Sequence, residues 1–531
     1  MKVKKLILLI SAIIIYSSWS PSAQANNAGD IENHWAKREI ETVLNLGIAG
    51  NYPDGAFKPD QLITRAEFIK LLVIAGWLEP SDKKAQPEFK DVGPEFWAYS
   101  YIESAIDAGI VTVAGNNGRF FEPNRAVART EMAAQVGRLM SVEGLPGVPN
   151  TSDNPRVNWL DVLKEKGIIF GYPDGKLEGS HGLTRAEACV VILRLKEQLL
   201  EGQAKRECQW ISGIQSKDGY IAMAGGRQDI IPYFGNLTAM AQLSQPEYWG
   251  GVKQYLEWTL SHLNYPDSWG LNGTIYNFRL TDGVIQSVYS YDSADSYAAT
   301  LLSLAAAYYY SSGDANFIRE HIQEFTTVAE VITTLQDADG LIWVKPDTKF
   351  KYLMDNSECY RGLADWASLL DSLGFKDQSE LCRGSAEMIK KGILVRLWDE
   401  DTASFAWAID DQGNKYLLSH GQAYPGILAQ IYPVTFGVIP PTSQKAILAY
   451  QKLNDELSDW AELEVGDPFP WAILGYAAVI MDDLSGADRF LKNCRATFIA
   501  KDRYYPWSTF EGAFYVRACD ALQNRIKVAL N

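Results

Sequence analysis

Between residues 30 and 200 the apolar positions recur at helical spacing in short runs, and each run closes at a glycine followed by a turn and a second run. Residues 47–67 read GIAGNYPDGAFKPDQLITRAE, residues 109–131 read GIVTVAGNNGRFFEPNRAVARTE, and residues 167–187 read GIIFGYPDGKLEGSHGLTRAE. The unit returns about every sixty residues, which predicts three helix–loop–helix modules. After a polar link at 201–206 the pattern changes to longer helical runs separated by loops rich in Gly, Asp and aromatics. It predicts helices near 232–244, 247–263, 295–311, 315–335, 357–373, 377–397, 421–433, 442–457, 469–482, 485–498 and 509–525, with a short one near 206–214. Brief connections such as Ser312-Gly313-Asp314 and Leu484-Ser485-Gly486 alternate with longer loops, as expected for six helical hairpins. The fold class is mainly α: three small modules followed by hairpins that can close into an (α/α)6 toroid.

The module turns have a local mechanism. In Tyr52-Pro53-Asp54-Gly55 and Tyr172-Pro173-Asp174-Gly175, proline sets φ, aspartate bonds nearby backbone and glycine accepts positive φ. Asn116-Asn117-Gly118 does the same without proline. Thr64 with Glu67 and Thr184 with Glu187 form capping boxes at the start of the second helices, while Ala128 cannot supply that cap. Arg65, Arg129 and Arg185 follow in the first helical turn. A guanidinium beside unpaired N–H groups at the positive end of a helix suits a carboxylate or phosphate.

On these residues the segment from about Asp30 to Leu200 resembles the S-layer homology (SLH) module, whose triplets hold bacterial surface proteins on anionic secondary cell-wall polysaccharide. The resemblance implies acidic-sugar binding at Arg65, Arg129 and Arg185, with aromatic support from Trp35 and Trp97, each twelve residues before the glycine of its loop. The third copy has Pro155 at the aligned position, so the first copy is the most complete.

Charge and composition narrow the classes. Lys and Arg total 49 against 65 Asp and Glu, a net charge of -16, which disfavours nucleic acid as a partner. The first 25 residues read as a signal peptide, with Lys2, Lys4 and Lys5, an apolar run from Leu6 to Tyr16, and Ala23-Gln24-Ala25 in the cleavage pattern. No later stretch has the length of a membrane span. The expected divisions are 1–25 for the leader, 26–80, 81–144 and 145–200 for the modules, and 201–531 for the large domain. Cys189, Cys208, Cys359, Cys382, Cys494 and Cys519 are scattered through helices and read mostly as buried thiols. No metal-binding spacing is present and no cofactor is implied.

In a toroid of parallel inner helices, the long loops meet at one mouth. The polar signals that lead into those helices are Asp218, Asp292 and Asp295 in YDSADSY, Asp355 and Glu358 in MDNSECY, His420 and Gln422 in SHGQAY, Asp467 in GDPFPW and Glu511 in STFEGAF. Glycoside hydrolysis needs two carboxyls across one bond, and elements distant in sequence but adjacent at the mouth can supply them. Here residues 207–530 resemble the six-hairpin glycosidase superfamily in texture, through phrases such as GTIYNF, YDSADSYAATLLSLAAAYYY and EGAFYVRA. Glu358 and Glu511 are the expected acid pair, with Asp292 and Asp295 as substitutes or sugar-positioning residues. Trp343, Trp507 and His420 are the expected substrate contacts, and Trp269, Trp366, Trp407 and Trp471 lie near the same loops.

The combined expectation is an exported bacterial protein attached to the cell wall. Secondary cell-wall polysaccharide would be the partner of the modules, and an oligo- or polysaccharide the substrate of a hydrolytic domain. Two alternatives stand beside it: a non-catalytic carbohydrate-binding or S-layer-associated protein, and a polysaccharide lyase using His420 and Tyr424.

Overall fold

A computed structural model describes residues 29–81, 87–113, 120–150, 157–171 and 176–531. The leader at 1–25, the turns at Asn116-Asn117-Gly118 and Tyr172 to Gly175, and Pro155 lie outside the described residues. The chain divides into two compact units. One comprises the residues up to Leu199 together with Ile526–Asn531, and the other Leu200–Arg525.

In the first unit each module pairs two helices: α1 (Lys37–Asn45) with α2 (Arg65–Ala75), α3 (Tyr99–Asp107) with α4 (Arg129–Val142), and α5 (Trp159–Glu165) with the start of α6 (Arg185–Ile214). Gly47, Gly109 and Gly167 end the first helices at φ of 69°, 72° and 69°, a left-handed stop that glycine adopts without strain. Thr64 closes a complete capping box with Glu67, whereas Ala128 supplies no cap. The modules join in a closed ring. Ile63 N–H donates to Leu183 C=O, Leu183 N–H to Val127 C=O, and Val127 N–H to Ile63 C=O. Every strand-like segment before a second helix therefore satisfies another module's backbone, giving a pseudo-threefold arrangement.

The polar stretch 201–206 is helical within α6 rather than a link. Apart from Gly202 it consists of good helix formers, and polarity alone does not break a helix.

In the second unit the inner helices are α7 (Pro232–Gln242), α9 (Ala294–Ser312), α12 (Leu353–Leu373), α14 (Tyr432–Thr435), α16 (Ile473–Ile480) and α18 (Thr509–Leu530). The outer ones are the end of α6, α8 (Trp249–Ser261), α10 (Ala315–Glu320) with α11 (Ile322–Thr334), α13 (Lys376–Gly392), α15 (Gln444–Glu456) and α17 (Leu484–Thr497). The inner helices α7, α9, α12, α14 and α16 pack in that order. Helix α18 closes the ring, with Phe510 against Tyr233 and Phe234 on one side and Glu511 bonded to Ala472 on the other. This is the (α/α)6 toroid. Small residues permit the crowding: a Cβ on Gly362 would lie 2.4 Å from Ala299 C=O. The expected helix at 421–433 shrinks to Tyr432–Thr435, because Pro425 and Gly426 interrupt what precedes it. Short antiparallel strands, Phe350–Tyr352 on Ala408–Asp410 and Phe278–Thr281 on Val284–Ser287, stand at the mouth.

Candidate functional site

A cavity of about 440 Å³ opens where the N-termini of α9, α12, α16 and α18 converge. The strand before α12 delivers its first turn, with Leu353 N–H bonded to Trp407 C=O, and Asp355 of that turn lines the cavity. Asp292, Asp467 and Glu511 line it too, among Tyr233, Tyr297, Tyr424, Phe469, Trp471 and Phe510. Helix α18 is tied in place by Thr509 N–H on Met223 C=O, and Ser508 Oγ accepts the Glu511 N–H at 3.3 Å.

The two deepest cavity acids have different surroundings. Glu511 is 1% exposed, and burial pushes its carboxyl up to about 7 even though the N–H groups of Ala472, at 2.6 Å, and Trp471 favour the charged form. Those two donors fix the direction of the carboxylate. Burial likewise raises Asp355, and the neighbouring Asp292 charge adds to it. Each has an acidic neighbour, Asp292 beside Asp355 and Asp467 beside Glu511; what distinguishes Glu511 is the pair of N–H donors from the start of another helix.

Several sequence expectations need correction. Glu358 and Asp295 do not line this cavity: each stands three residues after a cavity acid, one helical turn deeper. Glu358 accepts the Tyr233 hydroxyl at 2.7 Å and borders a separate cavity of about 210 Å³. Burial first, then the Asp355 charge, raises it well above the carboxylate range. Asp295 is fully buried and raised for the same two reasons, with Oδ2 unpartnered. Asp355, the other acid of MDNSECY, lines the cavity where Glu358 was expected. The signal available was its position ahead of Glu358 in MDNSECY, nearer the mouth.

The expected substrate contacts also move. Trp507 is 0% exposed and donates its indole N–H to Glu207 at 2.8 Å, so neither face meets a ligand. Trp366 is a core residue, packed against Phe325. Trp343 lies under Lys351 at 4.1 Å, outside the cavity lining. His420 is exposed on the surface and bonded to Glu456 at 2.6 Å. Asp218 sits in an exposed turn with Ser216. The aromatic faces at the cavity belong instead to Trp471 and Tyr424, stacked at 5.3 Å and 20°. Among the described residues the buried Trp471 indole N–H has no hydrogen-bond partner.

In the first unit the three arginines occupy related places and reach partners in other modules, with Nε of Arg65 alone among these forks buried without a hydrogen-bond partner among the described residues. Arg185 donates to Phe57 C=O at 2.8 Å and Gly50 C=O at 3.1 Å, and lies over the Tyr52 ring. Arg129 donates to Leu177 C=O and Phe170 C=O. Arg65 pairs with Glu131 and lies over Phe121. Each is 7% exposed and reaches into another module's loop, so it braces that loop instead of presenting an open anion receptor. Consequently the loop of the first module is braced by Arg185, not by Arg65. Trp35 and Trp97 are 65% and 52% exposed and remain open on the rims.

Comparison with known proteins decides the character of this unit. The S-layer homology domain matches residues 29–69, 88–133 and 161–189. The N-terminal unit is built from SLH modules. Related proteins include the amylopullulanase of Thermoanaerobacterium thermosulfurigenes, 29% identical over 193 residues, which are 34% of this chain and 10% of that protein. The cellulosome-anchoring protein of Acetivibrio thermocellus is 34% identical over 145 residues, 26% of this chain and 31% of that protein. The chain thus spans between a tenth and a third of the length of these two relatives. Among solved structures, a wild-type glycosidase aligns at TM-score 0.46 and 14% identity, over 61% of this chain and 96% of that one. A mannosylglycerate hydrolase from Thermus thermophilus, in complex with glucose, aligns at 0.43 and 12%, over 60% and 99%.

Proposed function

We propose that this chain is a bacterial cell-surface glycoside hydrolase, held on wall polysaccharide by its SLH modules. The observation that carries the hydrolytic reading is the pairing of Asp355 and Glu511 on one aromatic-lined cavity, both held by burial above the usual carboxylate range. Asp355 donates its proton to the glycosidic oxygen as the C–O bond breaks. Glu511, aimed by two backbone N–H groups, takes a proton from the water that adds to the anomeric carbon. Trp471 and Tyr424 supply flat faces for the sugar. A lyase using His420 finds no support, because that side chain stands outside the cavity against Glu456.

For anchoring, the exposed Trp35 and Trp97 are the contact surface and the arginines hold the loops in shape. The SLH-bearing relatives, which include S-layer proteins of Bacillus thuringiensis and Bacillus licheniformis, favour the same surface location.

Incubating the full chain with a panel of plant, microbial and wall glycans tests the activity. New reducing ends are expected. Unsaturated sugar ends would indicate a lyase, and retention without product would indicate a binding protein; either outcome overturns the hydrolase reading.

A further inference from the structure

The catalytic cavity has a second lobe. A volume of about 360 Å³ adjoins the first and shares Asp292, Met354, Asp355 and Tyr424 with it, while Glu511 borders only the first. A general acid must stand at the bond being broken, between the sugar that keeps the anomeric carbon and the group that departs. Asp355 lies on the shared wall, so the lobe holding Glu511 takes the former and the second lobe the latter. This assignment rests on the hydrolase reading.

The second lobe has its own chemistry. Tyr352 and Trp407 line it as nearly parallel rings, with centroids 6.1 Å apart at 7°, and offer a flat apolar wall to a sugar. Lys345 lines the same lobe, held at the corner of a tight hairpin by pairing with Thr348 and by Val344 N–H on Phe350 C=O. The Lys345 ammonium lies 5.7 Å from the Trp269 ring centroid. Among the described residues no carboxylate oxygen comes within 4.0 Å of it, Asp292 of the same lobe included. A part-buried ammonium that the protein leaves unpaired at the rim of a sugar-sized lobe is complementary to an anion on the ligand.

We infer that the second lobe receives a sugar acid as the leaving group, its ring resting on Tyr352 and Trp407 and its carboxylate on Lys345. The test is calorimetric titration of the full chain with D-glucuronate, D-galacturonate and D-mannuronate, each against its neutral hexose, so that no turnover is needed. At least one acid should bind about tenfold more tightly than its hexose, and the preference should weaken with salt. Lys345→Met should abolish it and Lys345→Arg should preserve it. Equal affinity within every pair, no binding of any acid, or a preference that survives Lys345→Met overturns the inference. Acid preference without cleavage of any glycan would leave the site standing as a binding site, but would remove both its leaving-group role and the hydrolase reading.

Discussion

Replacing Glu511 by glutamine should flatten the pH dependence of stability in the toroid. The carboxyl sits at about 7 in the folded chain against 4.5 for an ordinary glutamate, so the folded state holds the proton more tightly. The sign follows from linkage: the stabilisation is complete below about 4.5 and is lost as pH rises through about 7. A gap of that size is worth about 3 kcal/mol, most of which falls between pH 5 and 8. No screening discount applies, since the side chain is 1% exposed. Asp355, Asp295 and Glu358 are also raised and remain in both proteins, so the difference between the two pH slopes isolates Glu511. At about 2 °C per kcal/mol for a domain of this size, the wild type should lose about 5 °C more than Glu511→Gln between pH 5 and 8 in calorimetric melting of the C-terminal unit. Parallel curves for the two proteins would refute the burial argument for Glu511.

On a substrate found by the glycan panel, Asp355→Asn and Glu511→Gln should each lower kcat by about 10² or more with binding retained, whereas Glu358→Gln should cost much less; initial rates check this. The wild-type kcat/KM should follow a narrow bell centred near 7, because burial raises Glu511 and Asp355 to about the same value; a pH–rate profile without a limb near 7 counts against this pair. In wall-pelleting assays Trp35→Ala should weaken attachment without changing melting temperature. Arg185→Met should instead lower the melting temperature of the SLH unit, because it strands the Phe57 and Gly50 carbonyls at a cost of about 1 to 3 kcal/mol. Equal effects of the two changes on both readouts would contradict the division between contact and brace.

The module pattern was legible because glycine stops and threonine caps act locally, within three or four residues. What the local pattern does not contain is the ring between modules. Arg185 follows Thr184 in sequence, yet its fork closes on Gly50 and Phe57, more than 120 residues away. An arginine at a helix start therefore reads as an open receptor until the long-range contact is known. The toroid was legible in the alternation of short and long connections, and the acids of its mouth in their position ahead of inner helices. Their order of depth was not: choosing between Asp355 and Glu358 requires the position of the helix start. Sequence puts that start near 357, whereas the strand Phe350–Tyr352 brings it to Leu353. The four-residue shift puts Asp355, and not Glu358, in the first turn at the cavity.

On the proposed assignment, the two acids differ in which helix start they touch. Every inner helix begins at the mouth, so a carboxyl there meets two opposed influences: burial, which favours the neutral form, and helix-start N–H groups, which favour the charged one. Glu511 reaches across to the start of a neighbouring helix and receives N–H donors from Trp471 and Ala472. Asp355 faces Asp292, and its own backbone N–H favours its charged form. Both carboxyls are raised by burial, and Glu511 is held by N–H groups from a neighbouring helix. On the hydrolase reading, the division of roles follows from which helix start each side chain touches, and it should persist under substitutions elsewhere on the cavity wall that leave those two environments intact.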